Sequence, residues 1–387
     1  MGSVTGSVDV AGCQWMQYDY GSAVMTTDRP EPFTMWRYRD LMPVHDGPVL
    51  YPVPVGGTPL LPVPGLRRES RMPELWIKDE TRNPTASNKD RATALVIEDG
   101  MRRGVSTITT ASTGNAAVST AFGAAAAGMR AVIFVSADCG REKVALMAQA
   151  GAWVLQVRQG YAAAVDLSLA ASRTFGWLDR NTGANPVTIE AKKTVAFEVW
   201  EQLGRRVPDV MVVPVGDGPT LVALDKGFAE LVDCGLAARR PRLVGVQAEH
   251  CQPLVRAWQG EQPAQGELDP AATVADGIAV VRPAIGDAVL DVVRRCGGGL
   301  VAVSDHALLR AVGTLASRAG VGAEPAGAAG LAGLEAALGC GLLRHSETAV
   351  LLVTGREVKA AAAPAQHGRV APVESLDDVE RVLAAES

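Results

Sequence analysis

From residue 105 to residue 353, short apolar runs alternate with longer runs of helix-forming residues. Short apolar runs bounded by glycine or polar residues are typical of buried strands in parallel sheets. The pattern predicts strands at 105–110, 131–135, 153–157, 210–215, 242–247 and 349–353. The predicted helices end at Gly128 and Gly151 or span 162–175, 194–203 and 221–231. This alternation predicts an α/β protein with two open, mainly parallel twisted sheets and helices on both faces.

The two series of elements predict two domains. We expect a large domain over 51–94 and 188–362 and a small α/β domain over 95–187. The poorly patterned first fifty residues are expected to form an N-terminal arm, which either wraps a neighbouring subunit or is partly disordered. The remaining segments are predicted to be an exposed loop at 261–271, a linker at 360–373, a surface helix at 375–386 and a C-terminal tail over 363–387.

Composition and charge exclude several classes of function. The 387 residues are 48% hydrophobic, enough for one large or two medium cores. The formal net charge of −5, without a long basic run, argues against a nucleic-acid partner. The longest apolar stretch, 116–127, is too short to span a membrane, and the chain begins without the pattern of a signal peptide. The six cysteines and five histidines are scattered, so we expect reduced thiols, a cytoplasmic location and no metal site.

One lysine stands out because of its local setting. The segment Asn-Pro-Thr-Ala-Ser-Asn-Lys-Asp-Arg at 83–91 combines turn residues with the start of a helix-forming run, 92–101. Ser87 is a candidate N-cap, and Asp90 suits the positive end of the helix. A lysine that is held and partly desolvated, as Lys89 would be here, forms Schiff bases with carbonyl groups. The alternative, favoured by this stretch alone, is a solvated lysine on a capped helix.

Three further segments place small polar residues or glycines directly after a predicted strand. At 109–117, Thr-Thr-Ala-Ser-Thr-Gly-Asn-Ala-Ala opens an alanine-rich helix, and its first amides form a candidate carboxylate site. At 212–220, Val-Val-Pro-Val-Gly-Asp-Gly-Pro-Thr supplies a glycine turn that suits a phosphate but matches neither the dinucleotide nor the nucleoside-triphosphate spacing. The strand 349–353 ends in Thr354 and Gly355. Each segment taken alone is also explained as an ordinary cap or strand end.

Taken together and in this order, the segments resemble the fold-type-II pyridoxal-phosphate enzymes, the tryptophan synthase β family, and among them threonine synthase and its paralogs. The likeness runs from about Trp36 to Lys359. Supporting motifs are Trp36-Arg37-Tyr38-Arg39, Gly57-Thr58-Pro59-Leu60, Ile189-Glu190-Ala191-Lys192-Lys193-Thr194 and Glu324-Pro325 with Ala328.

The resemblance implies a role for each matching residue. Lys89 would carry pyridoxal 5'-phosphate as a Schiff base and act as acid and base at the substrate α-carbon. Asn115 would bind the phenolic oxygen of the cofactor, and Thr354 would face its pyridine nitrogen. The cofactor phosphate would be held by Gly216, Asp217, Gly218 and Thr220. The substrate carboxylate would be bound by Ser112, Thr113 and Gly114.

Thr354 also bears on the reaction class. A hydroxyl partner leaves the pyridine nitrogen neutral, whereas an aspartate would protonate it and strengthen the electron sink. A weaker sink still supports loss of the α-proton followed by loss of a leaving group. The resemblance therefore favours β- or γ-replacement or elimination over transamination.

The chain departs from the family pattern at several positions. Asn88 precedes the lysine where an aromatic or apolar residue is usual, Asp217 adds a charge beside the expected phosphate, and Pro219 removes one backbone amide from that loop. Ala191 replaces a glycine, and Tyr161 is expected to serve only in packing. Cations that could hold a substrate phosphate, or could instead be solvated, are Lys143 with Arg141, Lys192, Lys193 and Arg205.

The resemblance implies an amino-acid substrate and a homodimer. The most economical reaction is threonine synthesis from O-phosphohomoserine and water. The alternative is a paralogous synthase that joins phosphoserine or another activated serine to a different nucleophile, as cysteate and diaminopropionate synthases do. A non-enzymatic alternative is a regulator or sensor that binds pyridoxal phosphate. A dehydratase with an effector domain is disfavoured because few residues follow Lys359.

Overall fold

A computed structural model describes residues 4–21, 32–44, 47–181, 185–261, 268–359, 365 and 367–385. The strands in this part of the chain are β1 (Val4–Val10), β2 (Cys13–Tyr18), β3 (Leu60–Pro62), β4 (Leu75–Asp79), β5 (Thr107–Ala111), β6 (Arg130–Ser136), β7 (Trp153–Val157), β8 (Leu178–Asp179), β9 (Val210–Pro214), β10 (Arg242–Ala248), β11 (Gly299–Val303), β12 (Ala349–Val353) and β13 (Arg369–Val373). The α-helices are α1 (Pro64–Ser70), α2 (Lys89–Arg102), α3 (Asn115–Ala126), α4 (Arg141–Gln149), α5 (Tyr161–Phe175), α6 (Val187–Lys192), α7 (Thr194–Gln202), α8 (Pro219–Asp233), α9 (Pro253–Trp258), α10 (Gly286–Arg295), α11 (Asp305–Thr314), α12 (Pro325–Gly339) and α13 (Leu376–Ala384).

Residue contacts divide the chain into two compact units. The first unit comprises Met1–Pro43, Gly56–Asn88 and Ile189–Glu357, and the second comprises Val44–Val55, Lys89–Thr188 and Val358–Ser387. Each unit has its own sheet. The α/β architecture expected from the alternating pattern is therefore confirmed.

The sheet of the first unit has six strands in the order β11-β10-β9-β12-β4-β3. All neighbours are parallel except β3, which pairs antiparallel with β4. Alternate residues of β12 enter two different cores, because Val350 and Leu352 pack in one apolar cluster and Leu351 and Val353 in the other. Both faces of the sheet are therefore covered, which explains why its strands are continuous apolar runs.

The second unit contains a parallel sheet of five strands in the order β13-β7-β6-β5-β8. Apolar side chains of β6 and β7 pack with α5 and α13, and α3 and α4 also contact this sheet. Helix α13 begins after Ser375, whose hydroxyl accepts from the Asp378 amide, so the predicted C-terminal helix is confirmed over its described residues.

The structure corrects one expectation for the ends of the chain and adds detail to another. Part of the predicted linker, Arg369–Val373, is strand β13, which pairs with β7 in register. In the poorly patterned first fifty residues, β1 and β2 form an antiparallel hairpin, and a 3₁₀ helix spans Met35–Leu41. Most of the loop predicted at 261–271 lies outside the described residues. Among the residues that are described, no helix is both long and apolar enough to cross a bilayer.

Candidate active site

The turn that carries the lysine leaves β4 at the carboxyl end of the first unit's sheet. A 3₁₀ turn at Glu80–Arg82 follows the strand, and Asn83 donates to the Glu80 carboxylate at 3.0 Å. The Asn83 side-chain oxygen in turn accepts from the Gly56 amide at 3.0 Å. Ala86 has a left-handed φ of 58°, which is uncommon for a residue with a side chain. The turn is therefore held in one shape by buried hydrogen bonds.

The same turn is bonded to the end of β12. Ser87 forms an antiparallel bridge with Gly355, and the Asn88 amide donates to the Thr354 carbonyl at 2.9 Å. The structure thus brings Thr354 against the residue that precedes Lys89. Helix α2 begins at Lys89 itself, so Asn88 rather than Ser87 occupies the position before the helix. Lys89 is half-buried.

The glycine turn after β9 leads into α8. Gly218 has a left-handed φ of 98°, and a Cβ added there would lie 2.1 Å from the Val289 side chain. A Cβ at Gly216 would lie 3.2 Å from the Ile278 Cα. Only glycine satisfies the Gly218 position, and the turn directs the first amides of a fifteen-residue helix toward one place. Pro219 is the first residue of α8. An N–H at this position would have no partner within the helix, so the proline costs the helix no hydrogen bond.

Two departures from the family pattern have partners in this turn. The Asn88 side-chain amide donates to the Thr220 hydroxyl at 3.2 Å, and both residues are buried. The Asp217 carboxylate accepts from the Ala284 amide at 3.3 Å. Asp217 is thus held by a backbone donor from the loop before α10. Asn88, Thr220 and Thr354 form one hydrogen-bonded group within the first unit, and Lys89 follows Asn88 in the chain.

In the second unit, the Ser112 segment follows β5 and leads into α3. The Ser112 hydroxyl accepts from the Gly114 amide at 3.2 Å, and Gly114 is the residue before the helix. Gly114 itself has no side chain with which to cap the helix. Residues 112–115 are half-buried, and the first turn of an α-helix has amides without intrahelical partners.

Helices α2 and α3 pack together within the second unit. The Ser119 hydroxyl donates to the Thr93 hydroxyl at 2.7 Å. Thr93 and Ser119 each lie one turn beyond the first residue of their helix. The starts of α2 at Lys89 and of α3 at Asn115 are thus each one turn away from this contact.

Two residues near these segments were missed or misjudged from sequence. Arg180 is fully buried, and its guanidinium donates to the Lys89 carbonyl at 3.3 Å and to the Thr93 hydroxyl at 3.2 Å. Burial lowers the pKa of Arg180 to about 10, against the opposing effect of Asp90 and Asp179. Tyr161 is 53% exposed rather than packed, and its hydroxyl donates to the Ala111 carbonyl at 3.4 Å. No local pattern around Arg180 marks it, because its partners are distant in sequence.

The candidate phosphate-binding cations differ in burial and in their partners. Lys193 does not face a substrate site: it is fully buried, 2.6 Å from the Glu190 carboxylate and 2.8 Å from that of Glu230. Burial alone would raise the pKa of Glu190, but Lys193 and Lys226 outweigh it and hold that pKa below its ordinary value. Lys192 is also buried, whereas Arg205 is exposed with its guanidinium 6.0 Å from the centre of the Trp200 ring. Lys143 is half-buried in the first turn of α4, and Arg141 is exposed.

Comparison with known proteins identifies the family. The family model described as "Pyridoxal-phosphate dependent enzyme" matches residues 52–355. The threonine synthase of Methanosarcina acetivorans is 34% identical over 350 residues, which are 88% of this chain and 84% of that protein. The threonine synthase of Mycobacterium leprae is 33% identical over 335 residues, 86% of this chain and 90% of that protein.

Solved structures agree on the fold. The processed form of threonine deaminase isoform 2 from Solanum lycopersicum superposes with a TM-score of 0.66 at 20% identity, covering 78% of this chain and 84% of that one. Maize serine racemase gives a TM-score of 0.65 at 19% identity, covering 85% and 92% of the two chains. The resemblance read from the motifs is confirmed: the chain belongs to the family of pyridoxal-phosphate dependent enzymes, and within it is threonine synthase-like.

Proposed function

We propose that the protein converts O-phosphohomoserine and water to threonine and phosphate, with pyridoxal 5'-phosphate as its cofactor. The observation that carries the proposal is the hydrogen-bonded group formed by Asn88, Thr220 and Thr354 in the first unit. Asn88 joins the Thr220 hydroxyl to the Thr354 carbonyl, so the residues expected to hold the phosphate and the ring are linked through the residue that precedes Lys89 in the chain. The threonine synthase relatives supply the choice of substrate.

The residues present fit the cofactor. A glycine turn that tolerates no Cβ at Gly218, followed by a helix start, provides amides for a phosphate. Thr220, in the first turn of α8, adds a hydroxyl beside Gly216 and Asp217. The half-buried Lys89 supplies the amine for the covalent link to the aldehyde, and Asn115 supplies an amide for the phenolic oxygen.

Each residue has a distinct task in the reaction. When bound, pyridoxal phosphate supplies an electron sink that stabilises negative charge at the substrate α-carbon. Lys89 takes the α-proton and later returns a proton to the product. Thr354 offers a hydroxyl rather than a carboxylate, which keeps the ring nitrogen unprotonated. Arg180 holds the Lys89 carbonyl and so orients the first turn of α2.

The substrate is held by a second set of residues. Ser112, Thr113 and Gly114, at the start of α3, bind its carboxylate through backbone amides and hydroxyls. Lys143 binds the leaving phosphate as a point charge. We place Lys143 in this role and exclude Lys193, because Lys193 is committed to a buried ion network.

The departures from the family pattern at Asn88 and Asp217, each of which has its own hydrogen-bond partner, favour a second candidate function. In it, a shorter activated substrate, such as phosphoserine, is joined to another nucleophile. The two candidates differ in which phosphorylated amino acid releases phosphate. They share Lys89, the Gly218 turn and the Ser112 segment.

The test uses the purified full chain. Borohydride reduction of the loaded protein followed by peptide mapping is expected to place the cofactor on Lys89, and Lys89→Ala is expected to carry no label. Lys359→Ala, an exposed lysine, is the matched control. A label on any other lysine, or none, would contradict the cofactor site. Phosphate release from phosphoserine but not phosphohomoserine would select the second candidate.

We further propose that the large domain spans 51–94 and 188–362 and the small domain 95–187, with an arm at 1–50 and a tail at 363–387. We propose a homodimer that works in the cytoplasm. Sedimentation equilibrium over a tenfold range of protein concentration, at about micromolar levels, tests the dimer. A single species of monomer mass throughout would reject it.

A further inference from the structure

Asn88 is covalently bonded to Lys89 and hydrogen-bonded to two separate segments of the first unit. Its side-chain amide donates to the Thr220 hydroxyl at 3.2 Å, and its backbone amide donates to the Thr354 carbonyl at 2.9 Å. The residue is 2% exposed. A buried amide is costly unless it is hydrogen-bonded, so an apolar residue would be the simpler choice if packing alone were required.

The contact determines what the Thr220 hydroxyl can do. A hydroxyl group has one proton to donate and two lone pairs to accept with. Because the oxygen accepts from the Asn88 amide, its own proton is directed toward a different acceptor. Thr220 is the second residue of α8, beside the Gly218 turn, where the helix amides attract an anion.

An aromatic or aliphatic residue at position 88 cannot impose this orientation, because it has no donor for the hydroxyl oxygen. The hydroxyl would then rotate among several acceptors and spend part of its time pointing away from the anion. The amide therefore removes a rotational freedom that phosphate binding would otherwise have to restrict.

We propose that Asn88 is a positioning residue that orients the Thr220 hydroxyl as a donor to the cofactor phosphate. This inference rests on the proposed function, since it takes pyridoxal phosphate as the ligand. It assigns to one side chain of this chain a task that the family's usual residue cannot perform.

The experiment compares two ligands that differ only in the phosphate. Apoprotein is titrated with pyridoxal 5'-phosphate and with pyridoxal, and binding is followed by absorbance and protein fluorescence. Asn88→Leu is expected to weaken pyridoxal phosphate binding about tenfold, because a charge-assisted hydrogen bond is impaired. The dissociation constant for pyridoxal is expected to change by less than about twofold, because pyridoxal has no phosphate to accept this hydrogen bond.

Two further variants separate orientation from packing. Asn88→Asp keeps the size of the side chain, but its carboxylate accepts the Thr220 proton and repels the phosphate, so the loss should exceed that of Asn88→Leu. Thr220→Val removes the hydroxyl, and adding Asn88→Leu to it should cause no further loss. Non-additivity of this kind is the signature of two residues acting through one contact.

The outcomes are distinguishable. If the unaltered protein binds no pyridoxal phosphate, the proposed function fails and this inference fails with it. If that protein binds the cofactor but Asn88→Leu weakens both ligands equally, position 88 has only a structural role and the inference alone is overturned. Full additivity of the Asn88 and Thr220 substitutions would also overturn it. Asn88→Asp supplies the decisive comparison if Asn88→Leu does not fold.

Discussion

Two turns of this protein each connect a strand to a helix, but only one of them has room for a side chain at its glycine. In the first unit the turn before α8 contains Gly218, whose left-handed φ and proximity to Val289 exclude any side chain. In the second unit the turn before α3 ends in Gly114, which has an extended φ of −121°. A Cβ added to Gly114 meets nothing within 4 Å. The first turn has a single permitted shape, whereas the second has open space in front of it.

The difference suits the two ligands that we assign to these turns. A cofactor that stays bound gains affinity from a preorganised site, because the ordering cost is met when the protein folds. A substrate must enter and leave in every turnover, which an accessible turn permits. The Gly218 turn should therefore govern cofactor affinity, and the Gly114 turn should govern substrate affinity.

Gly218→Ala is expected to produce the largest effect. The left-handed backbone and the 2.1 Å approach to Val289 should together cost about 2 kcal/mol or more. The dissociation constant for pyridoxal phosphate should rise about 30-fold or more. Absorbance titration of the apoprotein measures it.

Two controls accompany this variant. Gly114→Ala, the equivalent change in the open turn, should leave the cofactor dissociation constant within about twofold, since its added Cβ meets no neighbour. Val289→Ala in the Gly218→Ala background should recover part of the lost affinity, because it relieves the contact but not the backbone strain. Equal effects of the two glycine substitutions would remove the distinction between the turns.

How much of the fold could be predicted from the sequence depends on how far apart in the sequence the interacting residues lie. The sequence predicts the strands Trp153–Val157 and Ala349–Val353 at their observed bounds. This is possible because a strand that is buried on both faces is a continuous apolar run in the sequence. Where strand β13 lies, the sequence predicts a linker. Its sequence, Arg-Val-Ala-Pro-Val, contains a proline, and only pairing with β7 makes it a strand.

The same reasoning applies to the site. The glycine turn and Lys89 were recognisable because their neighbours in sequence create their setting. The sequence shows Asn88 only as a departure from the family pattern, because its partner Thr220 lies 132 positions away. The sequence also makes Lys193 a candidate cation for the substrate. Its spacing to Glu190 is also that of a helical ion pair, but nothing local shows that Glu230 completes a buried network around it.

Ser112→Ala tests the open turn and should have an intermediate effect. The change removes the acceptor of the Gly114 amide and one donor for the substrate carboxylate. We expect KM for phosphohomoserine to rise about tenfold with little change in kcat, the pattern of lost uniform binding. Cofactor affinity should not change. Ser317→Ala, an exposed serine in the first unit, is the matched control, and a loss of cofactor affinity with Ser112→Ala would contradict the assignment.

Asp217→Asn is expected to have the smallest effect, and one of opposite sign. In the unaltered protein the Ala284 amide donates to the Asp217 carboxylate at 3.3 Å. The oxygen of the asparagine side chain can still accept this hydrogen bond, so the turn should keep its shape. Only the negative charge beside the proposed phosphate is lost. A half-exposed charge at this position should cost binding about 0.5 kcal/mol, so cofactor affinity should rise about two- to threefold at low salt.

Ionic strength separates this charge effect from a change of shape. Repulsion between a half-exposed carboxylate and a phosphate is screened, so the gain with Asp217→Asn should largely disappear at about 1 M salt, where the Debye length is about 3 Å. Asp166→Asn, an exposed aspartate in the second unit, makes the same change in net charge and should leave the affinity unaltered. A loss of affinity with Asp217→Asn would mean that the carboxylate supports the Gly218 turn through more than its charge. The single permitted shape of that turn would then depend on Asp217 as well as on Val289.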